Sequence, residues 1–232
     1  MAAYKSIVAI VPAAGVGSRM QADRPKQYLT IGDKTILEHT VDKLLSHPDV
    51  TKVVIAISEH DPYFSSLPFC GREEIVRVNG GGERADSVLS ALDYVAENSL
   101  SEWVMVHDAA RPCVVLSDLD NLIQQSIRHT VGGIMASPVR DTMKRAGEGQ
   151  QIEHTVDRRS LWHALTPQMF RSEQLRAALA DALSSGASIT DEASAMEWAG
   201  FQPLLVKGRA DNIKITQPED LDLAAYYLNR NL

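Results

Sequence analysis

The sequence of 232 residues lacks several features that mark whole classes of protein. It has two cysteines, Cys70 and Cys113, without the spacing of a metal site, so we expect two reduced thiols rather than a disulfide framework. No apolar run approaches the length that crosses a membrane, and the N-terminal residues lead almost at once into an apolar segment. We therefore expect neither a membrane span nor a signal peptide, and a cytoplasmic protein.

The chain also lacks an excess of positive charge. Its formal net charge of −7 argues against a surface that coats nucleic acid, because such surfaces are usually basic. Any phosphate ligand must then be held by a few local cations. The length, the hydrophobic content of 44% and the absence of repeats or low-complexity segments suit one α/β domain over residues 1–232.

Apolar runs alternate with segments of helical periodicity. The predicted strands cover residues 7–11, 53–57, 75–78, 103–106, 133–136 and 204–206. The predicted helices cover residues 36–45 (with Thr35 as N-cap), 83–97, 116–129, 172–183, 191–199 and 218–228. Strands that are almost wholly apolar and alternate with helices are typical of a mainly parallel sheet with helices on both faces.

The alternation breaks at residues 139–157, which are polar and charged. Two short β-like pieces, at residues 142–145 and 152–156, flank a turn at Gly147-Glu148-Gly149. This pattern predicts an exposed hairpin, which we call the arm. Such an arm can be a substrate lid, a dimer contact or a decorated loop, and its Arg, Lys and Thr content favours a functional role.

Small residues and two cations follow the first predicted strand. Arg19 and Lys26 lie in the same loop as a stretch with almost no side chains, so a triphosphate could approach both backbone N–H groups and fixed positive charge. The bare positions begin with Pro12, Ala13, Ala14 and Gly15. The loop is not a dinucleotide fingerprint, because Met20 stands at the third glycine position, and no Gly-Lys-Ser/Thr of a P-loop follows.

A second glycine-rich segment follows the strand at residues 75–78. Gly81 and Gly82 bring backbone groups close to a flat ligand, and Ser87 lies one helical turn further on. A pocket lined by backbone can bind the hydrogen-bonding edge of a base, and a large purine would crowd it. A flexible loop without function is the alternative.

Two charged residues follow at later strand ends. Asp108 follows the strand at 103–106, at the strand end where open α/β sheets bind ligands. A single carboxylate suits Mg²⁺. The alternative is a helix N-cap or an ion pair with Arg111. His107 is interpreted as a satisfied strand-end residue and not a base. Lys214 projects from an alternating segment before the last helix, while Thr190 and the two acids after it suit a helix N-cap and first turn.

These segments together resemble one family, the 2-C-methyl-D-erythritol 4-phosphate cytidylyltransferases of the non-mevalonate isoprenoid pathway. The motifs run from residue 11 to about residue 220: PAAGVGSRM, PKQY, TILEHTV, GGGERADSV, VHDAARPC, DTMKR, TVDR, LWHALTPQ, TDEASAMEW and GRADNIKIT. The resemblance implies a Rossmann-like nucleotidyltransferase fold and a homodimer joined through the arm. It also implies transfer of CMP from CTP to methylerythritol phosphate, with Mg²⁺ and release of pyrophosphate.

The resemblance also assigns roles by position. Residues 13–15, Arg19 and Lys26 would hold the triphosphate, Gly81, Gly82 and Ser87 would contact cytidine, and Asp108 would serve the metal. Thr142 and Arg158 would reach the methylerythritol phosphate of the neighbouring subunit, Thr166, Thr190 and Lys214 would line the substrate side, and Arg84 would support the glycine loop. Gly82 is a departure, since many relatives carry Asp there.

The implied chemistry needs no nucleophilic side chain, because the acceptor's phosphate is mostly a dianion at neutral pH, with a second pKa of ~6. Positioning and positive charge must overcome the repulsion between two anions. Arg19, Lys26 and Mg²⁺ are assigned to the triphosphate and Lys214 to the α-phosphate. Two alternatives stay open: a cytidylyltransferase for another polyol phosphate such as ribitol 5-phosphate, and a non-catalytic nucleotide sensor.

Overall fold

The computed structural model describes residues 6–15, 20 and 23–230. Its strands in these residues are β1 (Ile7–Pro12), β2 (Thr30–Ile31), β3 (Lys34–Thr35), β4 (Val50–Ile57), β5 (Ile75–Asn79), β6 (Trp103–Val106), β7 (Gly132–Pro138), β8 (Met143–Ala146), β9 (Ile152–Val156), β10 (Trp162–Arg171) and β11 (Leu204–Lys207). Its helices are α1 (Ile36–Leu45), α2 (Arg84–Glu97), α3 (Leu116–Arg128), α4 (Ser172–Ser184), α5 (Glu192–Trp198) and α6 (Glu219–Arg230). No helix in the described ranges is both long and apolar enough to cross a membrane.

The main sheet of the described residues has the order β11-β7-β10-β6-β1-β4-β5. All neighbouring strands run parallel except β10, which is antiparallel to both β6 and β7. The prediction of a mainly parallel α/β sheet is therefore confirmed.

Alternating residues of β1 show how both faces of the sheet are buried. Ile7, Ala9 and Val11 pack on the side of α1 and α3, while Val8 and Ile10 pack on the side of α2, α4 and α5. Successive side chains of a strand point to opposite faces, so a strand covered on both faces must be apolar at every position. This is why the central strands read as continuous apolar runs in the sequence.

The N-cap of one helix follows the sequence prediction, and the N-cap of another corrects it. Thr35 caps α1 as predicted: its hydroxyl accepts from the Glu38 N–H at 3.1 Å, and the Glu38 carboxylate accepts from the Thr35 N–H at 2.7 Å. Helix α5 begins one residue later than the sequence suggested. Its cap is Asp191, whose carboxylate accepts from the Ser194 N–H at 2.9 Å, and not Thr190.

The sequence analysis missed β10 and the small β2–β3 hairpin. Strand β10 is central, yet it contains Pro167 and the polar residues His163, Thr166 and Gln168, so it does not resemble an apolar run. Proline lacks an N–H for the ladder, and the pairing with β7 is irregular between Ala164 and Gln168. Burial of Thr166 and Gln168 is possible because their side chains hydrogen-bond to neighbouring groups.

The arm forms the predicted hairpin. Strands β8 and β9 pair antiparallel in a two-stranded sheet of their own, separate from the main sheet. Nearly every residue of the hairpin is exposed, including Met143 and Ile152, which is 67% accessible. Two-stranded hairpins are marginally stable by themselves. The marginal stability and the exposed apolar residues together indicate that the arm packs against another surface.

Candidate active site

A cleft of about 330 Å³ opens at the carboxyl ends of β1, β5 and β6. Loops that leave neighbouring parallel strands converge there, as is usual for ligand sites in open α/β sheets. Eleven of the residues singled out in the sequence line it: Pro12, Ala13, Ala14, Gly15, Lys26, Gly81, Gly82, Arg84, Ser87, Asp108 and Lys214. Arg19, also assigned to this loop, lies outside the described residues.

The loop after β1 is held from behind by Gln27, a residue that the sequence analysis did not single out. Its buried amide donates to the carbonyl oxygens of Ala13 at 2.7 Å and Gly15 at 3.3 Å. Among the residues that the structure describes, no atom lies within 4 Å of the position that a Cβ of Gly15 would occupy. The Nζ of Lys26, which lines the same cleft, donates to the Ile215 carbonyl at 2.9 Å.

The glycine-rich loop packs tightly against its surroundings. A Cβ on Gly80 would lie 2.4 Å from the Ala14 Cβ, and a Cβ on Gly81 would lie 2.2 Å from the Asp86 Cβ, so both positions require glycine. Ser87 fixes the loop as well as facing the cleft, since its Oγ accepts from the Gly81 N–H at 3.1 Å. A Cβ on Gly82 would have space, which means that the structure does not force glycine at this position.

Asp108 lies at the centre of the charged part of the cleft. Three cationic side chains contact its carboxylate in the part of the chain that the structure describes. Arg84 Nε donates to Oδ1 at 3.1 Å, and the other two, Arg111 Nε at 3.2 Å and Lys214 Nζ at 3.0 Å, approach Oδ2. The alternative ion pair with Arg111 is therefore present, together with two further ion pairs.

These contacts decide the ionisation of Asp108. Burial raises the pKa of a carboxyl group, but the charges of Arg84, Lys214 and Arg111 outweigh it and hold the pKa of Asp108 well below its usual range. Burial opposes the charge of Arg84 too, yet the carboxylates of Glu192 and Asp108 raise the Arg84 pKa above its ordinary value. Burial lowers the pKa of Arg111. Asp108 and Arg84 therefore stay ionised near neutral pH.

Thr166 and His107 support Asp108 from below the cleft. The Thr166 hydroxyl accepts from the Asp108 N–H at 3.1 Å and lies 3.1 Å from His107 Nδ1. His107 Nε2 lies 2.9 Å from the Arg111 carbonyl and is positioned to donate to it, so Nδ1 accepts from the hydroxyl. Burial lowers the pKa of His107 to about 4, which confirms the interpretation of a neutral, satisfied residue. Thr166 does not line the cleft.

Three predicted acceptor-side residues lie apart from the cleft. Thr142 and Arg158 lie at the base of the arm, where both are exposed and the Arg158 guanidinium donates to the Arg140 carbonyl. Thr190 is exposed before α5, and its N–H donates to Ser194 Oγ at 3.1 Å. Their assignment to the polyol phosphate stays a prediction.

Two buried polar residues of the site escaped the sequence analysis as functional candidates. Glu192 appeared as a first-turn helix acid, but it is 2% exposed and pairs with Arg84 at 2.7 Å. The side-chain amide of Asn212 donates to the Thr166 carbonyl at 2.8 Å, while the backbone carbonyl of Asn212 accepts from Arg111 at 2.7 Å. Neither has a local sequence signal for these contacts, because both partners are far away along the chain.

The donor set limits which metal could bind. The described residues contain no group of three or more His, Cys, Asp or Glu side chains able to hold a metal ion. Asp108 supplies one carboxylate in the cleft, and Mg²⁺ typically binds through one or two carboxylates, waters and substrate phosphates. The residues therefore fit a Mg²⁺ ion that arrives with a nucleotide.

Comparisons with known proteins point to one family. Residues 7–230 match the family model of 2-C-methyl-D-erythritol 4-phosphate cytidylyltransferase. The chain is 66% identical over 227 residues to the protein of that name from Vibrio atlanticus, covering 98% of this chain and 97% of the relative. It is 65% identical over 226 residues to the Vibrio cholerae protein, covering 97% of each chain.

Solved structures show the same fold. The chain matches the crystal structure of a 4-diphosphocytidyl-2C-methyl-D-erythritol synthase with a TM-score of 0.84 and 39% identity, over 97% of this chain and 99% of the other. The Francisella tularensis 2-C-methyl-D-erythritol 4-phosphate cytidylyltransferase matches with a TM-score of 0.82 and 36% identity, over 96% of this chain and 100% of the other.

Proposed function

We propose a residue-level mechanism for this chain, which belongs to the 2-C-methyl-D-erythritol 4-phosphate cytidylyltransferase family and is a nucleotidyltransferase of isoprenoid precursor biosynthesis. It transfers CMP from CTP to 2-C-methyl-D-erythritol 4-phosphate and releases pyrophosphate. The observation that carries the mechanism is one cleft in which Lys26, Lys214 and Asp108 face the bare backbone of two glycine-containing loops.

CTP binds with its triphosphate along the loop after β1 and its base on the glycine loop. Backbone N–H groups of Ala14 and Gly15 and the charge of Lys26 hold the phosphates, and Arg19 is assigned to the same task. Gly81, Gly82 and Ser87 contact the cytosine, and the tight packing of Gly80 and Gly81 supports a pocket for a compact base.

The acceptor phosphate attacks the α-phosphorus of CTP. An acceptor oxygen forms the new P–O bond while the bond to the bridging oxygen of the β-phosphate breaks, so pyrophosphate leaves with the electron pair. No proton has to be removed from the acceptor, because its phosphate has a second pKa of ~6. Lys214 turns from Asp108 to the α-phosphate and stabilises the charge that grows there.

Mg²⁺ bound at Asp108 would neutralise phosphate charge during the transfer. The low pKa of Asp108 supports this role, because the carboxylate is ionised before the nucleotide arrives. Lys214 and Arg111 share the Oδ2 atom, so the turn of Lys214 toward the α-phosphate would leave one cation fewer on the oxygen that would hold the metal. Arg111 and Arg84 keep the carboxylate in place.

A homodimer completes the acceptor side. The arm carries exposed apolar residues, Met143 and Ile152, and its base carries Thr142 and Arg158, which do not line the cleft of their own chain. In the proposed dimer these two residues bind the methylerythritol phosphate in the neighbouring cleft. We further propose a cytoplasmic location, which the two free thiols Cys70 and Cys113 support.

Pyrophosphate release from CTP tests the proposed reaction. The purified protein is assayed with methylerythritol phosphate, ribitol 5-phosphate and no acceptor, each with Mg²⁺ and with EDTA. We expect release that requires methylerythritol phosphate and Mg²⁺. Preference for ribitol 5-phosphate would identify a different cytidylyltransferase, and CTP binding without release would indicate a nucleotide sensor.

A further inference from the structure

Glu192 is a buried carboxylate that does not line the cleft, yet it holds a residue that does. Its Oε1 accepts from Arg84 Nη1 at 2.7 Å and its Oε2 accepts from Arg84 Nη2 at 3.2 Å. This two-point pairing fixes the plane of the guanidinium as well as its position. Arg84 itself lines the cleft with part of its side chain exposed.

The same guanidinium reaches Asp108 through its remaining edge. Arg84 Nε donates to Asp108 Oδ1 at 3.1 Å, while Lys214 contacts Oδ2. The two carboxylates therefore share one guanidinium, and the orientation of the Asp108 oxygens depends on where Glu192 holds Arg84. Glu192 acts on Asp108 through Arg84.

Glu192 is itself held by Gln168 of β10. The Gln168 amide donates to Asp191 Oδ2 at 2.9 Å, and its Oε1 accepts from the Ala193 N–H at 2.8 Å, so the residues on both sides of Glu192 are fixed. Gln168 is 1% exposed. The contacts of Gln168 link the LTPQ and TDEASAMEW segments, and they give both segments a structural role outside the proposed mechanism.

We propose that Glu192 is a positioning residue for the transfer reaction: it restrains Arg84 against Asp108 and keeps its guanidinium away from the nucleotide phosphates. The inference rests on the proposed function, in particular on the roles of Asp108 and Lys214. It assigns to Glu192 an effect on turnover rather than on nucleotide binding.

The charges around Arg84 explain why turnover and nucleotide binding should respond differently to a change of Glu192. Arg84, Arg111 and Lys214 face two carboxylates, Asp108 and Glu192. Without the Glu192 charge, two N–H donors of Arg84 are released beside a polyanionic ligand. A cation that binds the ground-state triphosphate strengthens CTP binding without lowering the barrier, and Asp108 loses its fixed orientation.

The test compares Glu192→Gln with the wild-type protein. Calorimetry in EDTA gives the CTP affinity, and pyrophosphate release at saturating CTP, methylerythritol phosphate and Mg²⁺ gives kcat. We expect kcat to fall roughly 10- to 100-fold, as when other supports of a site ligand are removed, with CTP affinity unchanged or increased. Glu173→Gln is the matched control, since Glu173 also lies in a helical first turn beside an arginine, Arg176, and should behave as wild type.

Two results with Glu192→Gln would overturn the inference. One is wild-type turnover, and the other is a loss of CTP affinity in proportion to turnover, which indicates a general structural role. If Glu192→Gln does not fold, Arg84→Lys takes its place, because lysine keeps the charge but cannot bridge two carboxylates with a planar fork. We expect the same fall in kcat with CTP affinity retained, and wild-type turnover of Arg84→Lys would contradict the inference. Absence of pyrophosphate release by the wild type would instead contradict the proposed function.

Discussion

The cleft and the arm are two opposite kinds of structure within one chain. In the cleft, Asp108 is buried and pairs with three cations, two of which are held by contacts to a helix and a loop from distant parts of the sequence. In the arm, nearly every residue is exposed, and the hairpin pairs with no strand of the main sheet. The cleft proposed for the nucleotide is thus organised within one chain, whereas the arm can contribute to binding only by meeting another surface.

The largest effect should come from the cleft. Lys26→Met removes a charge aimed at the triphosphate, so kcat should fall by about two to four decades in a folded protein. Lys52→Met is the matched control, since the Lys52 Nζ also donates to a backbone carbonyl, that of Glu73, but on an exposed edge. Steady-state pyrophosphate release measures both variants, and near-normal turnover of Lys26→Met would contradict its role.

An arm residue should affect the acceptor and not the nucleotide. Arg158→Gln removes the charged hydrogen-bond donor that we propose for the acceptor phosphate, so the KM for methylerythritol phosphate should rise about 10- to 100-fold with the KM for CTP unchanged. Arg159→Gln, at the neighbouring exposed position where Arg159 pairs with Asp157, should leave both constants near wild type. Equal changes in both KM values for Arg158→Gln would remove the distinction between cleft and arm.

Lowering the pH should destabilise the folded protein through His107, which supports the cleft. Burial lowers the pKa of His107 to about 4 in the folded protein, below the unfolded value of 6.5, so the unfolded chain binds more protons between these values. The contribution of His107 to the free energy of unfolding is complete above pH 6.5 and is lost as the pH falls toward 4. The loss amounts to about 2 kcal/mol by pH 5. Urea unfolding at pH 7, 6 and 5 measures it.

The His107→Gln variant separates this term from the rest of the protein. The loss of unfolding free energy between pH 7 and pH 5 should be about 2 kcal/mol smaller in the variant than in the wild type, because the titrating group is gone. An identical pH dependence in both proteins would show that His107 does not carry the effect.

The smallest effect on stability should come from the arm's apolar residues. Ile152→Ser should change the free energy of unfolding of a protomer by no more than about 0.5 kcal/mol, because the side chain is exposed. The same change should shift the dimer toward monomers, as measured by sedimentation equilibrium over a range of concentrations. An unchanged association constant would argue against the arm as the dimer contact.

Local pattern was enough to predict most of the fold and much of the cleft. Apolar runs predicted the parallel strands, and small residues and charges after strand ends predicted most of the cleft residues, because the carboxyl ends of parallel strands meet at one edge. Strand β10 was missed because its buried polar residues are satisfied by partners elsewhere in the chain. Glu192 and Asn212 were missed for the same reason, because the residues that they contact lie far away in the sequence.

The arm shows a different limit of sequence reading. Its hairpin was predictable from turn residues and short β-like pieces, but its partner was not, because a single chain holds no information about what covers an exposed face. The roles of Thr142 and Arg158 therefore rest on the family resemblance and on the proposed dimer.

Mixing two inactive variants tests most directly the claim that a cleft and an arm from different chains form one site. Lys26→Met and Arg158→Gln are combined in equal amounts, allowed to exchange subunits, and assayed at a methylerythritol phosphate concentration where each is nearly inactive by itself. Half of the dimers should then be mixed, each with one site made of an intact cleft and an intact arm, so about a quarter of wild-type activity should return. Activity equal to the average of the two separate variants would contradict the shared site.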